Sequence, residues 1–339
     1  MHNKSLFLCI AALLYIIYFY EVILVDFVSN LVLLVLGFAL LVKGADLFVD
    51  GSSSVAKLLK IPSVIIGLTI VSIGTSLPEA AVSVTASLGG SYDLSIANVV
   101  GSNLFNLLSV VGASALICPF VIDQMIMKRD FPICIGVTVV LAFMLRDNML
   151  SRAESIILFA FFIAYILMLV LSALKNREEA SEDYKILSPL KSVVYIILGA
   201  AGIILGGQFT VNSATFFAEA LGMSQLLIGL TIVAVGTSLP ELVTSIVAAR
   251  KGESEIALGN VVGSNIFNIL FILGMSGIVH PLTCDPGAFI DTLILIGICA
   301  VMYFVCVTGK KATRPEGIVC ILLYVIYVVY AILRSYSLI

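Results

Sequence analysis

The sequence predicts an all-α polytopic membrane protein, with ten transmembrane helices arranged as two inverted five-helix repeats and an extra apolar helix expected ahead of them. Three observations carry this reading. Of 339 residues 61% are hydrophobic and 12% charged, with a mean hydropathy of +1.18. No water-soluble domain sustains that balance, and the apolar runs reach the roughly 20 residues that a bilayer crossing needs. Residues 67–119 recur without a gap as 229–281, with 26 of 53 positions identical at a constant offset of 162, so the chain is a tandem duplication. Basic residues, finally, fall on opposite sides of the matched segments in the two copies, so the copies cross the membrane in opposite directions.

The elements follow in order. An apolar run at 6–25, closed by Glu21 and Asp26, has Lys4 in front of it and no small-residue cleavage site behind it. It reads as an additional helix or anchor rather than a removed signal peptide. Five spans are expected at 28–42 (continuing as helix toward Leu59), 61–88, 94–118, 131–145 and 153–174, and five more at 192–218, 222–249, 255–280, 288–307 and 317–333. Between the sets lies the one sustained hydrophilic stretch, Lys175 to Pro189, too short to fold alone and read as a linker. The chain thus divides into an N-terminal extension (1–26), a first repeat (27–174), a linker (175–190) and a second repeat (191–339).

Charge sets the orientation. With the linker in the cytoplasm, 13 Lys and Arg residues lie in inside loops, among them Lys57, Lys60, Lys128, Arg129, Arg250, Lys251 and Lys311, against Arg146, Arg152 and Arg334 outside. The asymmetry predicts a multi-pass protein of the cell (inner) membrane with a cytoplasmic linker. In copy one Lys57 and Lys60 precede the motif helix, whereas in copy two Arg250 and Lys251 follow it. An odd number of spans per copy requires this inversion, which sets matched residues face to face near the midplane. A net charge of −3 without a basic patch points away from nucleic acid, and no protein partner is implied. Seven cysteines, with no CxxC among them, read as small apolar residues. Lys43, inside the first span, is expected to pair with Asp46 or Asp50 or to reach an interface.

Four polar motifs are set in this apolar background: GTSLPE at 74–79 and 236–241, NVVGSNLFN at 98–106 and NVVGSNIFN at 260–268. Pro78 and Pro240 have no N–H, so the carbonyls of Gly74 and Gly236 lose their helical partner and each helix opens there. Glu79 and Glu241 are the acids well inside matched spans. A buried carboxylate costs several kcal/mol unless paired, and two in one cavity repel each other unless a cation or proton lies between them. Thr75, Ser76, Thr237 and Ser238 add hydroxyls, and Ser102, Asn106, Ser264 and Asn268 add hydroxyl and amide oxygens. All are oxygen donors, which suits Ca²⁺ and Na⁺ over Zn²⁺ or Cu⁺. A single Pro-kinked helix with Ser and Thr is as readily structural, since hydroxyls satisfy backbone opened by Pro; two inverted copies that both keep the Glu decide for a site. Gly101 and Gly263 serve equally as packing or hinge positions.

These paired motifs resemble the sodium/calcium exchanger branch of the cation/Ca²⁺ exchanger superfamily, with its bacterial YrbG-like calcium/sodium antiporters, from about Asp26 to the C-terminus. The resemblance implies ten helices, both termini outside, and four cation sites in a diamond at the centre. Glu79 and Glu241 would bind the central Ca²⁺ with the carbonyls of Thr75 and Thr237. Flanking Na⁺ sites would use Ser72, Thr75, Ser76 and Ser102 on one side and Ala234, Thr237, Ser238 and Ser264 on the other, with Asn106 and Asn268 near the middle. Some relatives carry Asp where this chain has Asn268, a feature of the potassium-dependent branch, so K⁺ dependence is not expected. The implied activity is exchange of Na⁺ for Ca²⁺ by alternating access, with no enzymatic activity and no cofactor beyond the transported ions. Ca²⁺/H⁺ antiport is the alternative in the same class, and a cation channel fits composition alone. An intramembrane acid protease would carry Asp and usually a GxGD motif, which these positions lack.

Overall fold

A computed structural model describes residues 2–175, 186–222, 234–309 and 311–335, with side chains at 2–24, 234, 308 and 335 outside the description. Helix α1 (His2–Leu59) runs unbroken through the first expected span; the side chains of the expected N-terminal extension lie outside the described residues, apart from Val25 and Asp26. Lys60, at φ 56, ends it with a left-handed turn. Then come α2 (Ser63–Thr75) and α3 (Leu77–Leu88), a pair that fits one span bent by 49°, and α4 (Tyr92–Ile117). Strand β1 (Phe120–Val121) leads through a π turn, Ile126–Asp130, into α5 (Phe131–Met144). Strand β2 (Met149–Leu150) and α6 (Arg152–Lys175) complete the first half.

The second half repeats this order. It comprises α7 (Pro189–Ala220), α8 (Ala234–Thr237), α9 (Leu239–Arg250) and α10 (Ser254–Val279). Strand β3 (Leu282–Thr283), α11 (Pro286–Gly309), β4 (Lys311–Ala312) and α12 (Arg314–Ser335) follow. Most of the linker, and the segment 223–233 ahead of α8 that opens the expected 222–249 span, lie outside the described residues. Among the described residues seven helices are long and apolar enough to cross a membrane, eight with the bent pair counted as one.

Burial sorts the helices into layers. The apolar stretches of α4 and α10 are 78% and 94% enclosed by protein, against 11–28% for the other long helices. α4 and α10 therefore form the centre, and side chains such as Val35, Phe143, Leu171, Phe304 and Ile326 face outward. In lipid an outward apolar side chain gains nothing by burial, so helix association relies on close approach of small residues. α1 and α7 show this. A Cβ on Gly44 would lie 2.7 Å from the Ile203 nitrogen and 2.8 Å from the Gly199 carbonyl, while Gly37 meets Gly206. Because Gly37 faces Gly206 and Gly51 faces Ser192, the two helices run antiparallel.

Two short ladders mark the two ends of the bundle. β1 pairs antiparallel with β4, placing Phe120 opposite Ala312, and β2 pairs with β3, placing Met149 opposite Thr283. α4 begins beside His280, whose ring stacks on Tyr92 at 4.2 Å, and finishes just before β1, so the ladders cap opposite ends. Lys57, Lys60, Lys251 and Lys311 gather at the β1–β4 end, where Lys57 and Lys60 line the same cavity as Val121. Arg152 lies at the other end, its guanidinium donating to the Val279 carbonyl at 3.3 Å.

Candidate functional site

The site begins with two broken helices. Pro78 and Pro240 stand at the second position of α3 and α9, where a missing N–H costs no helical bond. The residue before each helix, Ser76 or Ser238, has left the helical region, with φ −86, ψ 8 and φ −94, ψ 8 respectively. A serine there normally caps its own helix through its hydroxyl. Neither does so. Ser76 instead donates to Oε1 of Glu241 at 2.7 Å, and Ser238 donates to Oε1 of Glu79 at 2.9 Å. Each half thus gives its capping hydroxyl to the acid of the other, and this exchange ties the two carboxylates into one cluster. The breaks also need room on the side of the absent Cβ: at Gly74 a Cβ would sit 2.6 Å from the Phe48 ring.

Asparagines from α4 and α10 frame this cluster. Asn98 donates to Ser83 Oγ at 2.9 Å and to the Glu79 carbonyl at 3.3 Å; Asn260 donates to Ser245 Oγ at 2.9 Å and to the Glu241 carbonyl at 3.4 Å. Thr75 Oγ1 donates to Asn260 Oδ1 at 3.0 Å. At the α4–α10 crossing Asn103 donates to the Asn265 carbonyl and Asn265 to the Asn103 carbonyl, at 3.1 and 3.2 Å. Their own amide oxygens accept from Asn106 and Asn268, both at 3.1 Å. Since Asn106 and Asn268 spend their NH₂ groups on this lattice, their oxygens are left to point elsewhere. Both residues also open π turns, Asn106–Val110 and Asn268–Leu273, a local widening frequent at functional positions.

The expected site residues with described side chains are all buried, and hydrogen bonds join Thr75 and Ser264 to Ser72, Ser76 to Glu241 and Ser238 to Glu79. Ser72, Thr75, Ser76, Glu79, Asn106, Ser238, Glu241, Ser264 and Asn268 are fully buried, and Ser102 and Thr237 nearly so. Ser264 reaches the Ser72 carbonyl at 3.5 Å. Ala234 is the first described residue of α8, with its side chain outside the description. Sequence reasoning missed the framing role of Asn98, Asn103, Asn260 and Asn265; their identity in both copies was the available signal.

The unsatisfied atoms are the informative ones. Oε2 of Glu79, Oε2 of Glu241, Oγ of Ser102 and Oδ1 of both Asn106 and Asn268 are buried without a hydrogen-bond partner. An orphaned buried acceptor costs ~1–3 kcal/mol and a charged one more, so these five, all on the matched motif segments, are candidate positions for a cation. Every one is a hard oxygen, the donor type that Ca²⁺ and Na⁺ prefer.

A sequence profile of the sodium/calcium exchanger protein family matches residues 29–171 and 191–333, two segments set apart by the same offset as the motifs. The chain belongs to the sodium/calcium exchanger protein family. Within that family it is similar to the sodium/calcium exchanger MaX1 of Methanosarcina acetivorans, with 36% identity over 342 residues, covering 88% of this chain and 97% of that one. It is also 36% identical over 301 residues to the inner membrane protein YrbG of Escherichia coli, covering 86% and 92% of the two chains. Among solved structures, the sodium-calcium exchanger NCX_Mj soaked without Na⁺ and Ca²⁺ superimposes with a TM-score of 0.79 at 31% identity, over 90% of this chain and 99% of that chain.

Proposed function

We propose that the protein is a secondary active antiporter that exchanges Na⁺ for Ca²⁺ across the cell membrane, expelling Ca²⁺ by alternating access. The observation that carries this is the reciprocal Ser76–Glu241 and Ser238–Glu79 bonding, which leaves one unpartnered oxygen on each carboxylate inside a fully buried oxygen cluster. Glu79 and Glu241 with the carbonyls of Thr75 and Thr237 hold Ca²⁺ centrally, and the two negative charges balance the ion. Ser72, Thr75, Ser76 and Ser102 on one side, and the Ala234 carbonyl, Thr237, Ser238 and Ser264 on the other, hold Na⁺. Asn106 and Asn268 contribute oxygens near the middle. An empty pair of buried carboxylates is too costly to carry across the membrane, so the protein reorients only when loaded, and coupled exchange follows. Membership of the family and similarity to MaX1 and NCX_Mj support the same substrates.

In this reading the two halves, 27–174 and 191–339, are inverted five-span repeats joined by a cytoplasmic linker at 175–190, and residues 1–26 extend the N-terminus. The antiparallel α1–α7 pair and the gathering of lysines at one end of the bundle support that topology. Uptake of ⁴⁵Ca²⁺ into proteoliposomes under imposed Na⁺, K⁺ or H⁺ gradients tests the assignment: an outward Na⁺ gradient should drive uphill uptake with no K⁺ present. Drive by a proton gradient without Na⁺ would give the Ca²⁺/H⁺ alternative instead. Orientation has its own test, since a cysteine placed at Ser181 should resist impermeant thiol reagents on intact cells.

A further inference from the structure

α1 and α7 pack chiefly on each other through backbone-close glycines, so they behave as a two-helix unit laid against the remaining helices. That unit is tied down by charge at the β1–β4 end. Lys57 pairs with Glu253 at 3.1 Å, and Ser53, one turn earlier on α1, donates to the same carboxylate. Lys251 reaches back to α1, 3.0 Å from an Asp46 carboxylate oxygen and 2.7 Å from Asp50; Lys43 is 3.9 Å from the same Asp46. Apart from Lys43–Asp46, which lies within α1, these contacts join α1 to one short turn, between α9 and α10.

The turn also walls a cavity of about 600 Å³ that opens at this end and is lined in part by Lys57, Lys60, Asp123, Glu253 and Glu255. No residue of the oxygen cluster reaches it. Between the cavity and the cluster α2 crosses α10 so closely that a Cβ on Gly67 would lie 2.9 Å from the Ile256 carbonyl and 3.1 Å from the Gly259 Cα.

The duplication supplies a control for what these charges do. At the offset of 162 the matched residues are Gln208 for Asp46, Asn212 for Asp50, Thr215 for Ser53, Glu219 for Lys57, Gly89 for Lys251 and Ser91 for Glu253. None of the three matched pairs can be an ion pair. A feature demanded by the helical fold itself would recur in both halves, as the α1–α7 glycines (Gly37 and Gly44 matched by Gly199 and Gly206) and the Asn lattice do.

We propose that Lys57–Glu253 and Lys251–Asp46/Asp50 form a one-sided latch, which holds α1 over the β1–β4 mouth of the ion pathway and must open for the site to be reached from that end. The cavity is then the antechamber on that side, and the α2–α10 crossing is its floor. The partly enclosed pair, with side chains 19% and 14% exposed, contributes more than Lys251, which faces carboxylates 43% and 50% exposed. The proposal rests on the antiport reading for what passes, but the latch can be measured without transport.

The test places a cysteine at Ile66, a buried position of α2 one turn below the cavity, in protein held in lipid nanodiscs with both faces accessible. The readout is the rate of modification by an impermeant maleimide, corrected for the parent without that cysteine. Lys57→Gln or Glu253→Gln should raise the rate about three- to tenfold and Lys251→Gln by a smaller factor, as expected from weak ion pairs acting together. The charge swap, Lys57→Glu with Glu253→Lys, should return the rate to within about twofold of the parent, which a merely misfolded variant would not do. Unchanged rates in the single variants, or no recovery in the swap, overturn the latch. If the parent moves no Ca²⁺ in vesicles while the modification rates follow the pairing, the antiport reading fails and the latch stands.

Discussion

The two halves of the chain are most alike at the centre of the bundle and least alike at its ends, and the contrast separates chemistry from scaffolding. From Gly74 to Glu79 and Gly236 to Glu241 no residue differs, and from Asn98 to Asn106 against Asn260 to Asn268 only Leu104 and Ile266 do. At the ends the matched positions change charge outright, Lys57 against Glu219 and Glu253 against Ser91. An inverted pair needs identical groups where the halves meet around one ion. In the proposed inverted topology matched ends of the halves face different compartments, and orientation itself requires that their charges differ.

The largest effect should come from the acids, and it should come equally. Glu79→Gln and Glu241→Gln keep the shape but remove the charge that balances Ca²⁺ in the proposed site, so each is expected to lower Ca²⁺ exchange at least ~100-fold, as the loss of a buried counter-charge worth ~3–5 kcal/mol implies. Both proteins should still purify folded, because the accepted bonds from Ser238 and Ser76 can pass to the amide oxygen. Flux of ⁴⁵Ca²⁺ decides. Near-normal flux in either variant removes the shared site, and a large loss in one alone would mean that the halves are not equivalent at the centre.

The asparagine lattice should give an intermediate effect. Asn265→Ala removes the acceptor for Asn106 and one donor to Asn103, leaving buried amides unpaired at ~1–3 kcal/mol each. The expected result is a fall in Ca²⁺ affinity of roughly tenfold with a lower Tm, mirrored by Asn103→Ala. Asn268→Asp instead adds a third acid beside the two, and should shift cation selectivity or pH dependence rather than only reduce the rate. Flux assays across pH with Na⁺ alone and with Na⁺ plus K⁺ distinguish the two effects.

What the sequence disclosed and what it hid follow from range. The break at Pro78 and Pro240, the buried position of both glutamates and, among the described residues, eight of the ten expected spans with the bent pair counted as one were legible, because missing N–H groups and long apolar runs are local signals. Of the outcomes expected for Lys43, pairing with Asp46 or Asp50 or reaching an interface, the fold shows the first, at 3.9 Å. The serines were legible as oxygen donors, but not that Ser76 and Ser238 forgo their own helices to reach the opposite acid, a pairing set by how the halves dock. The π turns at Asn106 and Asn268 were equally hidden, since nothing in the residue types distinguishes them from ordinary helix. The latch was out of reach for the same reason: Lys57 and Glu253 lie 196 positions apart and only the folded chain joins them.

The smallest expected effect tests the one place where the candidate site itself is unequal. Ser72 in the first half is matched by Ala234 in the second, so one flank of the proposed site has a hydroxyl that the other lacks. Ser72 Oγ donates to the Thr69 carbonyl at 3.2 Å, which leaves its lone pairs free to face a cation. Ser72→Ala should therefore weaken Na⁺ binding on that flank by a factor of about two to ten, the range set by a net ~0.5–1.5 kcal/mol for one oxygen contact. Ca²⁺ affinity, assigned to the glutamates in the proposed site, should move less. Ala234→Ser should act in the opposite sense and make the flanks alike. Half-saturating Na⁺ for ⁴⁵Ca²⁺ exchange, measured separately on right-side-out and inside-out vesicles, reads each flank. If Ser72→Ala changes Na⁺ dependence equally from both sides, or changes Ca²⁺ affinity instead, the hydroxyl does not belong to a flanking Na⁺ site, and the difference between the halves at this position is one of packing alone.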